Sequence, residues 1–464
     1  MSFQTRLLSD HLDLTVLCKT RPEQYPYALV STSSSDARLR DRYDIFFAYP
    51  QECLTLDKDQ LLSFTGEPAL AIGDGFLNSF DHWWQKEKIQ TQQTELPFTG
   101  GWFIYLSYEM AVEIEPTLKL PKPNELSLNN NIPLAIAKRC PAAIIVDHLR
   151  NTITAVAENE YANLLDQIEN DVAELGCNSD LIQPTKINCH AICESPEAPY
   201  LEQVNTIKNY IIEGDIFQAN LSRPWLIEIN NVINDVDIFN ALSTSNPGSF
   251  AAFARLGDAC LMSSSPERLV SSRKNIIETR PIAGTRPRSS THDNDAAITK
   301  ELLEHPKEQA EHIMLIDLER NDLGRVCKPG TIRVSELMGL ESYQHVHHIV
   351  SNIQGMIKDQ LTPVDVIKAV FPGGTITGCP KVRCMEILSE MEQEQRGAYT
   401  GSVGYINRDG SMDLNILIRT MLRAGNKISF RAGGGIVADS DPQRELEETR
   451  AKAKGLVNIF NLNT

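Results

Sequence analysis

Two pairs of carboxylates at helical spacing are the first residues with chemical potential. Glu308 and Glu311 stand three apart in "HPKEQAEHIMLIDLERNDLGRV", as do Glu445 and Glu448 in "RELEETRAKAKGL". Residues three apart share a helical face. Such pairs are commonly solvated faces. Equally, two of them could hold Mg2+, which takes one or two carboxylates, keeps waters and leaves positions for an anionic substrate. Lys452 follows Glu448 by one turn. Three histidines crowd into "ESYQHVHHIVSN", at 345, 347 and 348, and strand alternation would put His347 and His348 on opposite faces. An imidazole there is either a general acid near neutral pH or a buried structural group.

Arginine and glycine supply the other half of the chemistry. Arg419 sits in "NILIRTM", read as an apolar strand, where a charge must face solvent or find a partner. Its planar fork suits a carboxylate. "FPGGTITGCPK" and "RAGGGIVADS" are glycine-rich without the Gly-Lys-Ser/Thr ending of a phosphate loop or a GxGxxG after a strand. They still permit close backbone approach, with N–H groups free for a carboxylate. Residues 278–288, "ETRPIAGTRPR", place Arg280, Arg286 and Arg288 around Ala283, which has no functional group. Together these residues describe an enzyme for a polyanionic small substrate, held by arginine and backbone donors, with Mg2+ as a candidate cofactor.

Elements must position these groups. Strand-like runs occur at "YDIFFAYP", "GGWFIYLSYE" and "AAIIVDH", the last forming a hairpin with "NTITAVAE" through Leu149–Asn151. Tyr200, Val204, Ile207 and Ile211 mark one face of a helix that Gly214 is placed to end. Further strands are expected at "IFQANL", "GSFAAFARL", "ACLMSSS", "RLVSSR", "TIRVSEL", "SVGYIN" and "KISFRAGGGIVAD", and helices at 294–319, 363–370, 380–392 and 441–460. Asp441 or Ser440 is the expected N-cap of the last, with Pro442 in its first turn. Clustered strands with inserted helices predict an α+β protein with large antiparallel sheets. The polar, proline-bearing stretch before Tyr200 reads as a linker at 181–199, between an N-terminal region, 1–180, and a catalytic domain, 200–464.

Bulk properties narrow the class. A chain of 464 residues with net charge −17 lacks the basic surface of a nucleic-acid binder. No stretch approaches the ~18 apolar residues of a membrane span, and Asp10 and Asp13 interrupt any secretory signal. The expected location is cytoplasmic. Ten scattered cysteines without a CxxC pair read as free thiols, and "CHAIC" (189–193) has no second half-site for zinc.

The string of motifs resembles the chorismate-utilising enzymes, a family comprising aminodeoxychorismate synthase component I, anthranilate synthase component I and the isochorismate and salicylate synthases. The matching stretches are "GDIFQANLSR", "SSSPERLV", "TRPIAGTRPR", "AEHIMLIDLERNDLGRV", "HVHHIVSNIQG", "GGTITGCPKVRCMEI", "RGAYTGSVGYI", "ILIRT", "AGGGIVADSDP" and "ELEETRAKA", in the family's order over roughly 200–460. The resemblance implies antiparallel sheets packed as a two-lobed sandwich with helices outside. It implies Mg2+ on the ring carboxylate of chorismate through Glu311 and Glu445, with Glu448 nearby. Tyr399 and Arg419, with the backbone near Gly433 and Gly435, would clamp the enolpyruvyl carboxylate. Thr285 and Thr375 match substrate-contacting threonines, and Gly284 and Lys452 join the substrate-binding set. Glu267 matches an acid–base glutamate. His348 matches a histidine near the departing C4 hydroxyl.

The reaction is read at two forks. The isochorismate and salicylate branches activate water with a lysine where this chain has Gln218, which cannot act as a base, so amination is expected. Some aminodeoxychorismate synthases carry a nucleophilic lysine where this chain has Ala283, as anthranilate synthases do. Other stretches, including "GDIFQANLSR", "FPGGTITG", "RAGGGIVADS" and "RDRYDIFFAYP", resemble aminodeoxychorismate synthase. Their weight favours 4-amino-4-deoxychorismate as product, with anthranilate plus pyruvate as the alternative and a non-catalytic chorismate-binding subunit behind both. The resemblance also implies a separate glutamine amidotransferase supplying ammonia and a downstream pyridoxal-dependent lyase.

Overall fold

In the strand Ala142–Asp147, Ala142 and Ile144 pack into one apolar cluster, while Ala143 and Ile145 pack into another. Successive strand side chains point to opposite faces. A strand without polar alternation therefore lies between two cores, and this one does. The computed structural model describes residues 2–8, 13–32, 42–67, 73–90, 94–122, 128–175, 187–230, 233–288, 292–342 and 346–462.

Among these residues the strands form a 13-stranded and an 11-stranded sheet. The pairs are antiparallel except Ile187–Glu194 with Phe460–Leu462. The sheets face each other across a shared core, where the Tyr27 ring of the first stacks on Phe103 of the second at 4.0 Å. The outer face of the first sheet is covered by the helices Thr15–Thr20, Leu164–Leu175, Asp235–Ser245 and Pro442–Val457. Gly75–Glu87, Pro306–Val326 and Pro363–Val370 cover the second. The architecture is the expected α+β sandwich with helices outside.

Local signals explain the element ends. Gly214, at φ +85°, follows the helix Glu197–Ile212. The Asp441 carboxylate accepts from Arg444 N at 3.0 Å and caps Pro442–Val457. The helix expected over 294–319 is instead two helices, His292–Glu304 and Pro306–Val326. Proline disfavours the helical region for the residue before it, and His305 is extended at ψ 114°. Within the expected linker, Ile187–Glu194 is a strand beside Gln218–Ile229. Its buried Ile187 and Cys189 alternate with exposed Asn188 and His190, a period-2 pattern that its polar composition hid. Both sheets draw strands from before residue 181 and after residue 199.

Twice the chain crosses between sheets where the chemistry is expected. Ala259–Ser265 belongs to the first sheet and Arg268–Arg273 to the second, leaving Glu267 in the passage. Met412–Asn415 belongs to the second and Thr420–Ala424 to the first, leaving residues 416–419. Arg419 is thus outside any strand, at φ +51°, because its segment changes sheets. Ile416 N donates to Glu267 O at 3.0 Å and ties the passages together.

Candidate active site

The two crossovers hold opposite charges near each other. Glu267 is buried; Thr375 Oγ1 donates to its Oε1 at 2.9 Å, and the Ile282 N–H donates as well. Burial pushes its carboxyl up to about 7, against the pull of Thr375, Ile282, Arg419 and Lys452. Burial also lowers the Arg419 guanidinium, while the Glu267 charge acts the other way. Among the described residues, the Arg419 side chain makes no hydrogen bond or ion pair. A half-buried guanidinium without an ion pair is costly, so this one is placed for an anion.

A glycine wall forms one side. Gly433, Gly434 and Gly435 of Lys427–Ile436 pair with Ser222, Leu221 and Asn220 of Gln218–Ile229. A Cβ on Gly434 would lie 3.3 Å from Glu448 Oε1 and 3.4 Å from Glu445 Oε2, so both carboxylates of the last helix point at this strand. A Cβ on Gly435 would meet Gln218 Nε2 at 1.9 Å. Lys452 Nζ bonds Gly433 O at 2.9 Å and Glu448 Oε1 at 2.8 Å. Gln218 Oε1 and Asn220 Oδ1 are buried without a hydrogen-bond partner among the described residues. The orphaned polar atoms of Gln218 and Asn220 call for a polar ligand to complete them.

The facing side comes from Ile282–Pro287 and Val346–Met356. Gly284, at φ +65°, sits at an irregularity between Ala283 and Thr285, and Thr285 pairs with His348. The Thr285 side chain and His345 lie outside the described residues. His348 is buried; burial and then the Arg419 charge lower it to about 3, against a hydrogen bond with the Gly284 backbone. The imidazole is therefore neutral near pH 7. His347 faces elsewhere, bonding Ser342 Oγ at 2.7 Å and Asp295 Oδ1 at 2.9 Å. Ala283 is buried.

The carboxylate pair of Pro306–Val326 divides. Glu308 Oε1 bonds Arg286 at 3.1 Å, and Glu311 is half-buried. Among the described residues, no group of three or more His, Cys, Asp and Glu could by itself hold a metal. The hard carboxylate oxygens of Glu445 and Glu448 nevertheless suit Mg2+, which needs only one or two carboxylates when substrate and water complete its shell.

Tyr399 is buried, with the Arg396 guanidinium 5.6 Å from its ring centre. Arg396 pairs with Glu392 at 2.8 Å, and Glu109 accepts from Arg396 N and Gly397 N. An N-terminal carboxylate thus fixes the loop that carries Tyr399. Sequence reading missed Arg396, Glu392 and Glu109. The i, i+4 spacing of Glu392 and Arg396 was a usable signal; Glu109 had none.

The whole arrangement has relatives. Residues 43–458 match the chorismate binding enzyme family. The chain belongs to that family. It is 42% identical over 366 residues to an anthranilate synthase component I-like protein of Synechocystis sp., covering 78% of this chain and 73% of the relative. It is 37% identical over 419 residues to aminodeoxychorismate synthase component 1 of Bacillus subtilis, covering 87% and 84%. The crystal structure of anthranilate synthase component I from Streptococcus pneumoniae superposes with a TM-score of 0.78 at 30% identity, covering 89% and 92%. This chorismate-utilising enzyme thus stands in the anthranilate synthase component I and aminodeoxychorismate synthase group. No helix among the described residues is long and apolar enough to cross a membrane.

Proposed function

We propose that this chorismate binding enzyme aminates chorismate with ammonia to give 4-amino-4-deoxychorismate. The observation that carries amination is Gln218 where water activation would require a base, beside a half-buried Arg419 that has no ion pair among the described residues and faces Glu267. Arg419 and Tyr399 would take the enolpyruvyl carboxylate, with the Gly433 and Gly435 backbone beside them. Gly284, Thr285, Thr375 and Lys452 would line the remaining surface. Glu311, Glu445 and Glu448 would hold Mg2+, which neutralises and orients a ring carboxylate when bound.

With Ala283 in place of a nucleophile, ammonia itself attacks. The first ammonia bonds to C2 as the allylic C4 hydroxyl leaves as water. A second bonds to C4 as the C2 amine leaves as ammonia, so the net change is chorismate plus ammonia to product plus water. Glu267, with a proton affinity near neutrality, would take the proton from the new C–N centre. His348, neutral, would hydrogen-bond the departing hydroxyl rather than act as imidazolium. Ammonia would come from a partner glutamine amidotransferase, and a pyridoxal-dependent lyase would act on the product.

Ala283 itself favours a second reading, anthranilate synthase component I, in which the C2-aminated intermediate loses pyruvate. Chorismate, Mg2+ and ammonium at alkaline pH, with products followed by mass spectrometry, separate the two. Retention of the enolpyruvyl group supports the proposal. Anthranilate as main product overturns it. Full activity in Glu311→Ala would refute the metal assignment.

A further inference from the structure

Behind Glu267 lies a second buried carboxyl group that the proposed reaction does not use. Glu319 is 5% exposed, on the helix Pro306–Val326. That helix packs it against the turn Gly374–Ile376, where a Cβ on Gly374 would lie 3.6 Å from Glu319 Oε1. The next residue of the turn, Thr375, is the one that donates to Glu267. Two buried carboxyl groups therefore flank consecutive residues of one tight turn.

They are unequally served. Glu267 has the Thr375 hydroxyl, the Ile282 N–H and the charges of Arg419 and Lys452. Glu319 faces the Thr279 hydroxyl, the Lys381 ammonium and two acids, Asp322 and Glu267. Lys381 is already engaged, bonding Asp322 Oδ2 at 2.5 Å and Val370 O at 3.1 Å, and Asp322 also feels Arg325. Among the described residues, Glu319 has no ion pair. Two like charges in a site of low dielectric repel strongly, so the better-served group ionises first.

We propose that Glu319 is a positioning residue for Glu267: the two carboxyl groups share one proton, which Glu319 carries while Glu267 is the carboxylate. The inference rests on Glu267 being the acid–base group of the proposed reaction. Burial pushes Glu319 well above the ordinary carboxylate range, and the Asp322 charge adds to it. Once Glu319 ionises at alkaline pH, its charge raises the proton affinity of Glu267 and holds back release of the proton that Glu267 takes up in each turnover. The pair then titrates in two macroscopic steps that belong to neither residue alone.

Infrared spectroscopy of the full chain tests this without turnover. A carboxylic-acid C=O stretch should persist in the wild type above the pH of about 7 at which Glu267 ionises, be lost there in Glu319→Gln, and vanish at lower pH in Glu267→Gln than in the wild type. If Glu319→Gln fails to fold, the Glu267→Gln arm still decides. Rates measured at fixed free ammonia should show the alkaline fall displaced by at least about one pH unit in Glu319→Gln. No acid band in the wild type, an unmoved band in Glu267→Gln, or a rate lowered equally at every pH overturns the proposal. A protein that shows the band but forms no product from chorismate keeps the pair and refutes the reaction instead.

Discussion

Two arginine-bearing segments of this enzyme treat their charges in opposite ways. In 278–288, Arg280 bonds Glu336 at 3.0 Å and Glu341 at 2.7 Å, Arg286 bonds Glu308 at 3.1 Å, and Arg288 bonds Asp295 at 2.9 Å. In the crossover at 416–419, Arg419 is half-buried beside Glu267 without an ion pair among the described residues. The arginine-dense segment is neutralised by its own fold, and the isolated arginine is left to an outside anion. A surplus of charge is thus a better mark of a binding site than a concentration of it.

The contrast fails most visibly if Arg419 turns out to be structural. Arg419→Met should lower kcat/KM for chorismate by about 100-fold or more, since a charge-assisted contact to a carboxylate is lost. Its thermal midpoint should stay level or rise, because a half-buried charge without an ion pair is removed. Arg280→Met should behave oppositely. It removes the guanidinium that bonds both Glu336 and Glu341, so denaturant unfolding should show a loss of about 2–4 kcal/mol, with KM for chorismate moved less than about threefold.

The pH dependence of stability sharpens the picture of the Glu267 side. Its folded carboxyl lies at about 7, above its value in the unfolded chain, so the folded state binds more protons in that window. Stability should therefore fall as pH rises from the ordinary carboxylate range through about 7. Glu267→Gln should flatten the fall, an effect on the order of 1–3 kcal/mol by urea unfolding across pH. The smallest effect is expected from Thr375→Val. Removing a donor to the carboxylate raises its proton affinity, so the acid limb of kcat/KM should move up by about 0.5–1 pH unit.

Much of this was legible in the sequence. Apolar runs marked Tyr43–Ala48 and Gly101–Leu106, and the Leu149–Asn151 turn joined the hairpin as expected. Glu445, Glu448 and Lys452 could be placed on one helix by spacing alone, and they meet the glycine strand together. Less visible was the strand Ile187–Glu194, whose polar residues concealed a buried alternate face. The break at His305 was signalled by Pro306 and outweighed by the helical pattern around it. Arg419 looked like part of a strand because sequence periodicity carries no mark of a chain changing sheets.

The sequence by itself determined the elements, the donor types and the family pattern, because periodicity, capping and turn chemistry act over a few residues. Only the tertiary structure decided which charges cancel. Glu308 went to Arg286, while Glu267 and Glu319 came to consecutive residues of one short turn. Those outcomes depend on partners tens to hundreds of residues apart, brought together by two sheets that exchange their strands.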